Sequence, residues 1–463
     1  MPTVIRLEEA RRDYEQYRYR TPIKFGGVAF DRATILNVWL RVRDRSGRTV
    51  VGFGSMPLGN VWAFPSRQLS YDQTLQVMQR LADRFCDEVP RLQEFGHPVE
   101  LGQLLEERFL TAAQQVQTDL RLPEPIPKLA VLVVGSAFDA AVHDAYGKLL
   151  NRNVYSCYGP DCLPGDLSRW LGQEFRGETL QQYLQRQPKE ALPLYHLVGA
   201  LDPLEPAEVT QPVGDGLPET LAEWIPYNGL THLKIKLNGD DLAWDVERVV
   251  RVDRVASGVQ ARRGITQWWY SLDFNERCRS VDYLLDFMHQ LRSRAPQAWL
   301  RVQYIEQPTH RDLKTTGRVD LHAASRLKPI VADEALTDLE SLYLARDLGY
   351  TGVALKACKG QTQSLLLAAA AQKLGMFLCV QDLTCPGASL IHSAGLAAHI
   401  PPVTAIEANA RQYMPQANRG WEDRFPGIFR ITDGLMRTGC LTGPGLGAVP
   451  PAAELSNWSA TPN

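Results

Sequence analysis

The chain lacks any pair of cysteines spaced as CxxC. Its eight cysteines (Cys86, Cys157, Cys162, Cys278, Cys358, Cys379, Cys385 and Cys440) are scattered through 463 residues. This pattern argues against a zinc ribbon or a disulfide framework and suggests the reduced thiols of a cytoplasmic protein. There is little excess charge: the formal net value is −2, and no block of five or more like charges occurs. Nucleic acid and membrane surfaces are therefore disfavoured as partners. The opening MPTVIRLEEARRDYEQ has no apolar stretch of the secretory kind. The longest apolar run, Leu129 to Val134 with its flanks, is too short to span a bilayer. What remains is an ordinary globular balance, 44% apolar and 22% charged, in a chain long enough for a large domain plus a smaller one.

The first part reads as mixed α+β. Thr34 to Arg43 alternates as a half-buried strand, and the turn at Asp44–Gly47 leads to a second strand near Thr49 to Gly54. Helices are predicted near Asp72 to Cys86 and Ser136 to Leu150, with a Gly-, Pro- and Gln-rich connection over 151–190. After Leu192 short apolar segments alternate with helices. The predicted strands are Leu194–Val198, His232–Leu237, Trp268–Asp273, Val302–Glu306, Ile330–Ala332, Gly352–Lys356, Met376–Gln381 and Thr404–Glu407. Val281, Leu284, Leu285, Met288 and Leu291 form a helical stripe. Thr337 with Glu340 reads as a capping box, and Gly349 as the glycine ending that helix. Eight such units over about 220 residues fit a (β/α)8, TIM-like barrel better than an open sheet. No Gly-x-Gly-x-x-Gly follows the first of these strands, which weakens a dinucleotide-binding reading.

Charge appears only where these strands end. Lys234 and Lys236 close one strand, Asp273 the next, then Glu306, Asp333 and Lys356. In a parallel barrel the C-terminal strand ends share one face, where barrel active sites lie. A single acid there is most simply a helix cap. Three in succession suggest carboxylates gathered around a cation, and hard oxygen donors suit Mg²⁺. Lys234 and Lys236, two residues apart on a strand, point to the same side, where each is expected to depress the other's pKa and so make a usable base.

These residues resemble the enolase superfamily, specifically its muconate-lactonising branch, with Lys-x-Lys on the second strand, three acids on the third to fifth, and a lysine on the sixth. The resemblance implies Lys236 as catalytic base, Lys234 as its electrostatic partner and Lys356 as the opposing base. It implies one Mg²⁺ held by Asp273, Glu306 and Asp333, with Asn275, Glu334 and Gln307 flanking. It also implies an N-terminal α+β capping domain, to which Arg20–Gly26 and Ser136–Lys148 look similar. Two departures stand out. Residues 201–230 look inserted after the first strand, and the seventh ends in Gln381-Asp382 without the histidine of the mandelate-racemase branch.

The implied layout is a capping domain with connection over 1–190, a barrel over 191–410, and a segment 411–463 packing back on the cap. The implied reaction is removal of the proton α to the carboxylate of a small organic acid through a Mg²⁺-stabilised enediolate. Racemisation, epimerisation or cycloisomerisation between two lysines is the first expectation. The alternatives are dehydration of an acid sugar, and a non-catalytic descendant that binds metal or ligand. Asp382, Glu407, Asn409 and Arg411, and from the cap Arg20, Lys24 and Trp62, are candidates for substrate contact; a homo-oligomer is possible.

Overall fold

The computed structural model describes residues 3–25, 27–314 and 319–447. The N-terminal part is a three-stranded antiparallel sheet of β1 (Ile5–Phe25), β2 (Val28–Asp44) and β3 (Thr49–Pro57), in that order. The two strands read from the sequence lie inside β2 and β3, but β1 was not legible. Most of its residues are charged or polar and at least partly exposed, and only Ile5, Leu7, Ala10 and Ile23 are buried. Cross-strand pairs hold its outer face, including Arg41 with Glu9 and Arg43 with Glu8.

Helices Tyr71–Glu88 and Lys128–Leu149 pack on this sheet, and Pro98–Asp119 packs against both of them. Lys128–Leu149 begins well before Ser136. By length and composition it could cross a membrane, but its apolar window is entirely buried in the fold, which makes it a core helix. It lies directly on β3 because β3 presents glycines. A Cβ at Gly54 would sit 1.9 Å from the Ala137 carbonyl oxygen, and one at Gly52 2.0 Å from that of Ala141.

The second part is a closed parallel barrel of β4 (Leu192–Val198), β5 (His232–Lys236), β6 (Trp269–Asp273), β7 (Val302–Glu306), β8 (Ile330–Ala332), β9 (Gly352–Leu355), β10 (Phe377–Val380) and β11 (Ile406–Glu407). They run in sequence order, and β11 pairs with β4 to complete the ring. Tyr195, Tyr304, Val331, Ala354, Cys379 and Ala405 fill the interior. Tyr304 and Glu306 are two residues apart on β7, so an apolar floor gives way to charge along one row of side chains. Some of the helices between strands start at side-chain caps, Asp241 and Ser280 among them. One cap differs from expectation. Asp338, not Thr337, caps helix Leu339–Asp347, because its carboxylate accepts from the Ser341 N–H while the Ser341 hydroxyl accepts from the Asp338 N–H. Gly349 follows with φ +93°, as a helix-ending glycine does. Beyond the ring, β12 (Leu435–Met436) pairs with the start of β4, and the Leu446 N–H donates to Asp144 on the central cap helix.

Candidate active site

The mouth of the barrel is lined by strand ends. Lys234 and Lys236 alternate with Leu233 and Ile235 on β5, so both ammonium groups point inward, with the residues 2% and 4% exposed. Lys234 Nζ lies 2.9 Å from Glu306 Oε1, 3.1 Å from Asp273 Oδ2 and 3.6 Å from Glu407 Oε2, and also donates to Gln381 Oε1. Lys236 Nζ lies 2.5 Å from Asp273 Oδ2 and 2.9 Å from Asn275 Oδ1. Across the mouth, Lys356 Nζ is 2.8 Å from Asp333 Oδ2, an ion pair that leaves this oxygen without an aligned hydrogen bond. Asp273, Glu306 and Asp333 are all buried.

Around this core, Asn275 donates to Glu334 Oε1, and Asn409 to Glu407 Oε1. Asp382 accepts from the backbone of Thr384 and Cys385. Asn275, Asp382, Glu407 and Asn409 share a small cavity with Lys234, Lys236, Asp333 and Lys356, roofed by Phe25 and Trp62 of the N-terminal part. Lys236 Nζ sits 4.7 Å over the Phe25 ring and Lys356 Nζ 4.8 Å over Trp62, whose Nε1 donates to Glu334. Asp382, Glu407 and Asn409 thus lie in the cavity.

Four candidates point elsewhere. Gln307 turns away from the cavity: its Oε1 accepts from the Asp333 and Ala335 N–H groups and its Nε2 bonds Thr309 and Tyr350, which fixes the end of β8. Arg20 is clasped by Asp215 and the Leu217 carbonyl of the inserted segment, and Lys24 reaches Asn238. Arg411 bonds Asn228. Two contributors escaped sequence reading. Lys359 pairs with Asp333 Oδ1 at 3.1 Å, and Gln381 bridges Lys234 and Glu306. Lys359 carried a signal, a second lysine three residues after Lys356, but nothing in the sequence tied it to β8.

The expected depression is not found at Lys234. Burial pulls Lys234 down, but Glu306, Asp273 and Glu407 outweigh it and hold its pKa well above the ordinary value. Lys356 is likewise raised, because Asp333 overcomes its burial. Burial also opposes the charge on Asp273, yet Lys236 and Lys234 keep its pKa below normal, and Asp333 is held at about 2 against burial chiefly by Lys356 and Lys359. The remaining acids lack enough cation. Burial, reinforced by Asp273, pushes Glu306 up to about 8; burial with Asp333 raises Glu334 to about 7; burial with Glu407 raises Asp382 to about 8.

Six buried carboxylates (Asp273, Glu306, Asp333, Glu334, Asp382 and Glu407) thus face four buried ammonium groups, a formal shortfall of two positive charges. Among the described residues no three acids, histidines or cysteines already stand in the spacing of a metal cluster. The donor set nevertheless fits a hard divalent cation. It is all oxygen, it is short of two charges, and Asp333 Oδ2 and Glu334 Oε2 receive no hydrogen bond.

Residues 217–453 match the family model of enolase C-terminal-like domains. The L-Ala-D/L-Glu epimerase of Bacillus subtilis (strain 168) is 29% identical over 154 residues, 31% of this chain; the match spans 36%, little more than a third, of that relative's length. Among solved structures, the N-succinyl Arg/Lys racemase of Bacillus cereus ATCC 14579 superposes with TM-score 0.62 at 16% identity over 98% of both chains. A dipeptide epimerase of Enterococcus faecalis V583, complexed with Mg and the dipeptide L-Leu-L-Tyr, gives 0.59 at 14% identity over 96% of this chain and 99% of its own. The chain belongs to the enolase superfamily, in the branch of the muconate-lactonising enzymes.

Proposed function

We propose that the protein removes the proton next to the carboxylate of a small organic acid, using Lys236 and Lys356 as opposed proton-transfer groups beside one Mg²⁺ held by Asp273, Glu306 and Asp333. The observation that carries this reading is the strand order. β5 and β9 stand four strands apart in a ring of eight, so their terminal lysines face each other, while the acids of β6, β7 and β8 fill the arc between them. The complex of Mg with a dipeptide in a similar barrel supports the choice of ion and substrate class. When bound, the divalent ion supplies a Lewis acid that orients the substrate carboxylate and offsets negative charge as the proton leaves.

The protein's own groups do the rest. Lys234, hemmed in by three carboxylates, keeps a fixed positive charge and so stabilises developing negative charge instead of taking the proton. Lys236 and Lys356 each pair with one of the three acids assigned to the cation, so engagement of those acids frees the lysines to move toward neutrality. One lysine takes the α-proton and the other returns a proton to the opposite face, which racemises or epimerises the centre. With a β leaving group present, the second lysine would serve instead as the acid of an elimination; cycloisomerisation uses the same pair in reverse. Phe25 and Trp62 keep water from the two ammonium groups. Glu407 and the unpartnered Asn409 Oδ1 are both acceptors in the cavity, which suits a substrate carrying an amine, amide N–H or hydroxyl.

The test is α-proton exchange in D₂O, followed by NMR, over a panel of dipeptides, N-acyl amino acids and hydroxy acids, with Mg²⁺ and then with chelator. Exchange that needs Mg²⁺ and is absent in Lys236→Ala is the expected result. Exchange undiminished in that variant overturns the assignment of the base, and loss of water from a hydroxy acid identifies elimination.

A further inference from the structure

A group of buried polar side chains that this chemistry leaves unused lies at one seam, where the cap helix Lys128–Leu149 meets the turn after β9. Asp139 on that helix uses both carboxylate oxygens on a single barrel residue. The Thr362 N–H donates to Oδ2 and the Thr362 hydroxyl to Oδ1, each at 2.7 Å. The hydroxyl oxygen also lies 2.8 Å from His143 Nε2, and His143 Nδ1 lies 2.8 Å from the Tyr158 hydroxyl.

These distances fix the direction of the chain. Thr362 has one hydroxyl proton and gives it to Asp139, so His143 Nε2 carries the proton it shares with Thr362. His143 Nδ1 in turn shares a hydrogen bond with the Tyr158 hydroxyl. The Thr362 and His143 links both run toward Asp139, the arrangement in which buried hydrogen bonds strengthen one another. Two glycines make room for it. A Cβ at Gly102 would lie 2.3 Å from the Thr362 hydroxyl oxygen, and Gly360 turns past Asp139 at φ +105°.

Thr362 opens helix Gln361–Lys373, and the turn it pins carries the two lysines of this wall. The Lys356 carbonyl accepts from the Lys359 N–H and from the Ser364 hydroxyl, both at 2.9 Å. Lys359 Nζ in turn donates to the Asp333 carbonyl at 2.5 Å. Lys236, on the opposite wall, is held by Asp273, Asn275 and Phe25, and none of this chain touches it.

We infer that Asp139, acting through Thr362, is a positioning residue for Lys356 and Lys359, so that the cap helix sets the placement of one of the two opposed lysines and not of the other. This rests on the reading of Lys236 and Lys356 as the two proton-transfer groups. A misplaced lysine costs catalysis on its own face only, because a shift of about 1 Å can lower a rate by about a hundredfold.

Two measurements on the full chain test it, with Asp139→Ala, Thr362→Val and Thr362→Ser. The first needs no turnover: amide hydrogen exchange by mass spectrometry, comparing the segment 356–364 with β5. Asp139→Ala is expected to speed exchange in that segment by at least about tenfold while β5 is unchanged, as for loss of a local anchor. The second follows α-deuteration of each enantiomer of the best substrate from the panel; Lys356→Ala identifies which face Lys356 serves. On that face kcat is expected to fall at least about tenfold with KM within about twofold, while the other face keeps its rate and Thr362→Ser recovers most of the loss. Thr362→Val, which keeps size and the backbone bond, carries the test if Asp139→Ala does not fold. Equal losses on both faces, or unchanged amide exchange over 356–364, would overturn the inference. If Lys356→Ala silences neither face, the reading of the two lysines fails instead, and the amide exchange alone decides the role of Asp139.

Discussion

Adding Mg²⁺ to metal-free protein at pH 7 should release about one proton per ion bound. The perturbation is a cation competing for a carboxyl that the fold keeps protonated. Glu306 is wholly buried beside Asp273, and the two effects carry its pKa to about 8. At pH 7 the group is then about nine-tenths protonated, since each pH unit is a factor of ten. An acid that must ionise to become a ligand gives up that proton on binding. Glu334, at about 7 and hydrogen-bonded to Trp62 and Asn275, can add up to about half a proton as the local charge changes. Affinity should therefore rise about tenfold per unit from pH 6 to 8 and flatten above, where Glu306 is already ionised. Isothermal titration calorimetry in two buffers of different ionisation enthalpy reads the proton count directly, and Glu306→Gln should abolish most of it. A proton count near zero at pH 7, with affinity constant between pH 6 and 8, would refute the reasoning.

Three further outcomes follow from the same geometry. Glu306, Glu334 and Asp382 all have raised pKa values, so between about pH 5 and 8 these three hold more protons in the folded than in the unfolded state and their share of the stability falls as pH rises, while five histidines whose pKa values burial lowers act in the opposite sense below about pH 6.5. The rise in Tm that Mg²⁺ gives in differential scanning fluorimetry, in which the histidine contribution cancels, should be larger at pH 8 than at pH 6; an equal or smaller rise at pH 8 contradicts it. Gly54→Ala forces a methyl group onto the Ala137 carbonyl and should destabilise by about 3 kcal/mol or more in chemical denaturation. Arg20 holds the inserted segment and lies outside the cavity of the buried lysines. A double-mutant cycle with Asp215 should give about 1 kcal/mol of coupling, and Arg20→Ala should leave Mg²⁺ affinity unchanged.

Much of the barrel was legible in the chain because each of its strands is short, apolar and closed by a turn, and because charge is costly there unless it faces the mouth. Glu306 and Asp333 could be placed at strand ends for that reason alone. The cap was harder. β1 hides among exposed charged residues whose partners lie on another strand, and helix Lys128–Leu149 is so uniformly apolar that no periodic face marks its start. Residue type did not distinguish Gln307, which props β8, from Gln381, which bridges Lys234 and Glu306.

The sequence by itself determined that charge would collect at one end of a parallel ring, since period-two alternation and strand order fix which side chains share a face. Only the tertiary structure decided the balance of that charge. Whether a buried lysine is raised or lowered depends on how many carboxylates stand within a few ångströms of it. For Lys234 and Lys356 those neighbours come from strands and loops 23 to 173 residues away in the chain.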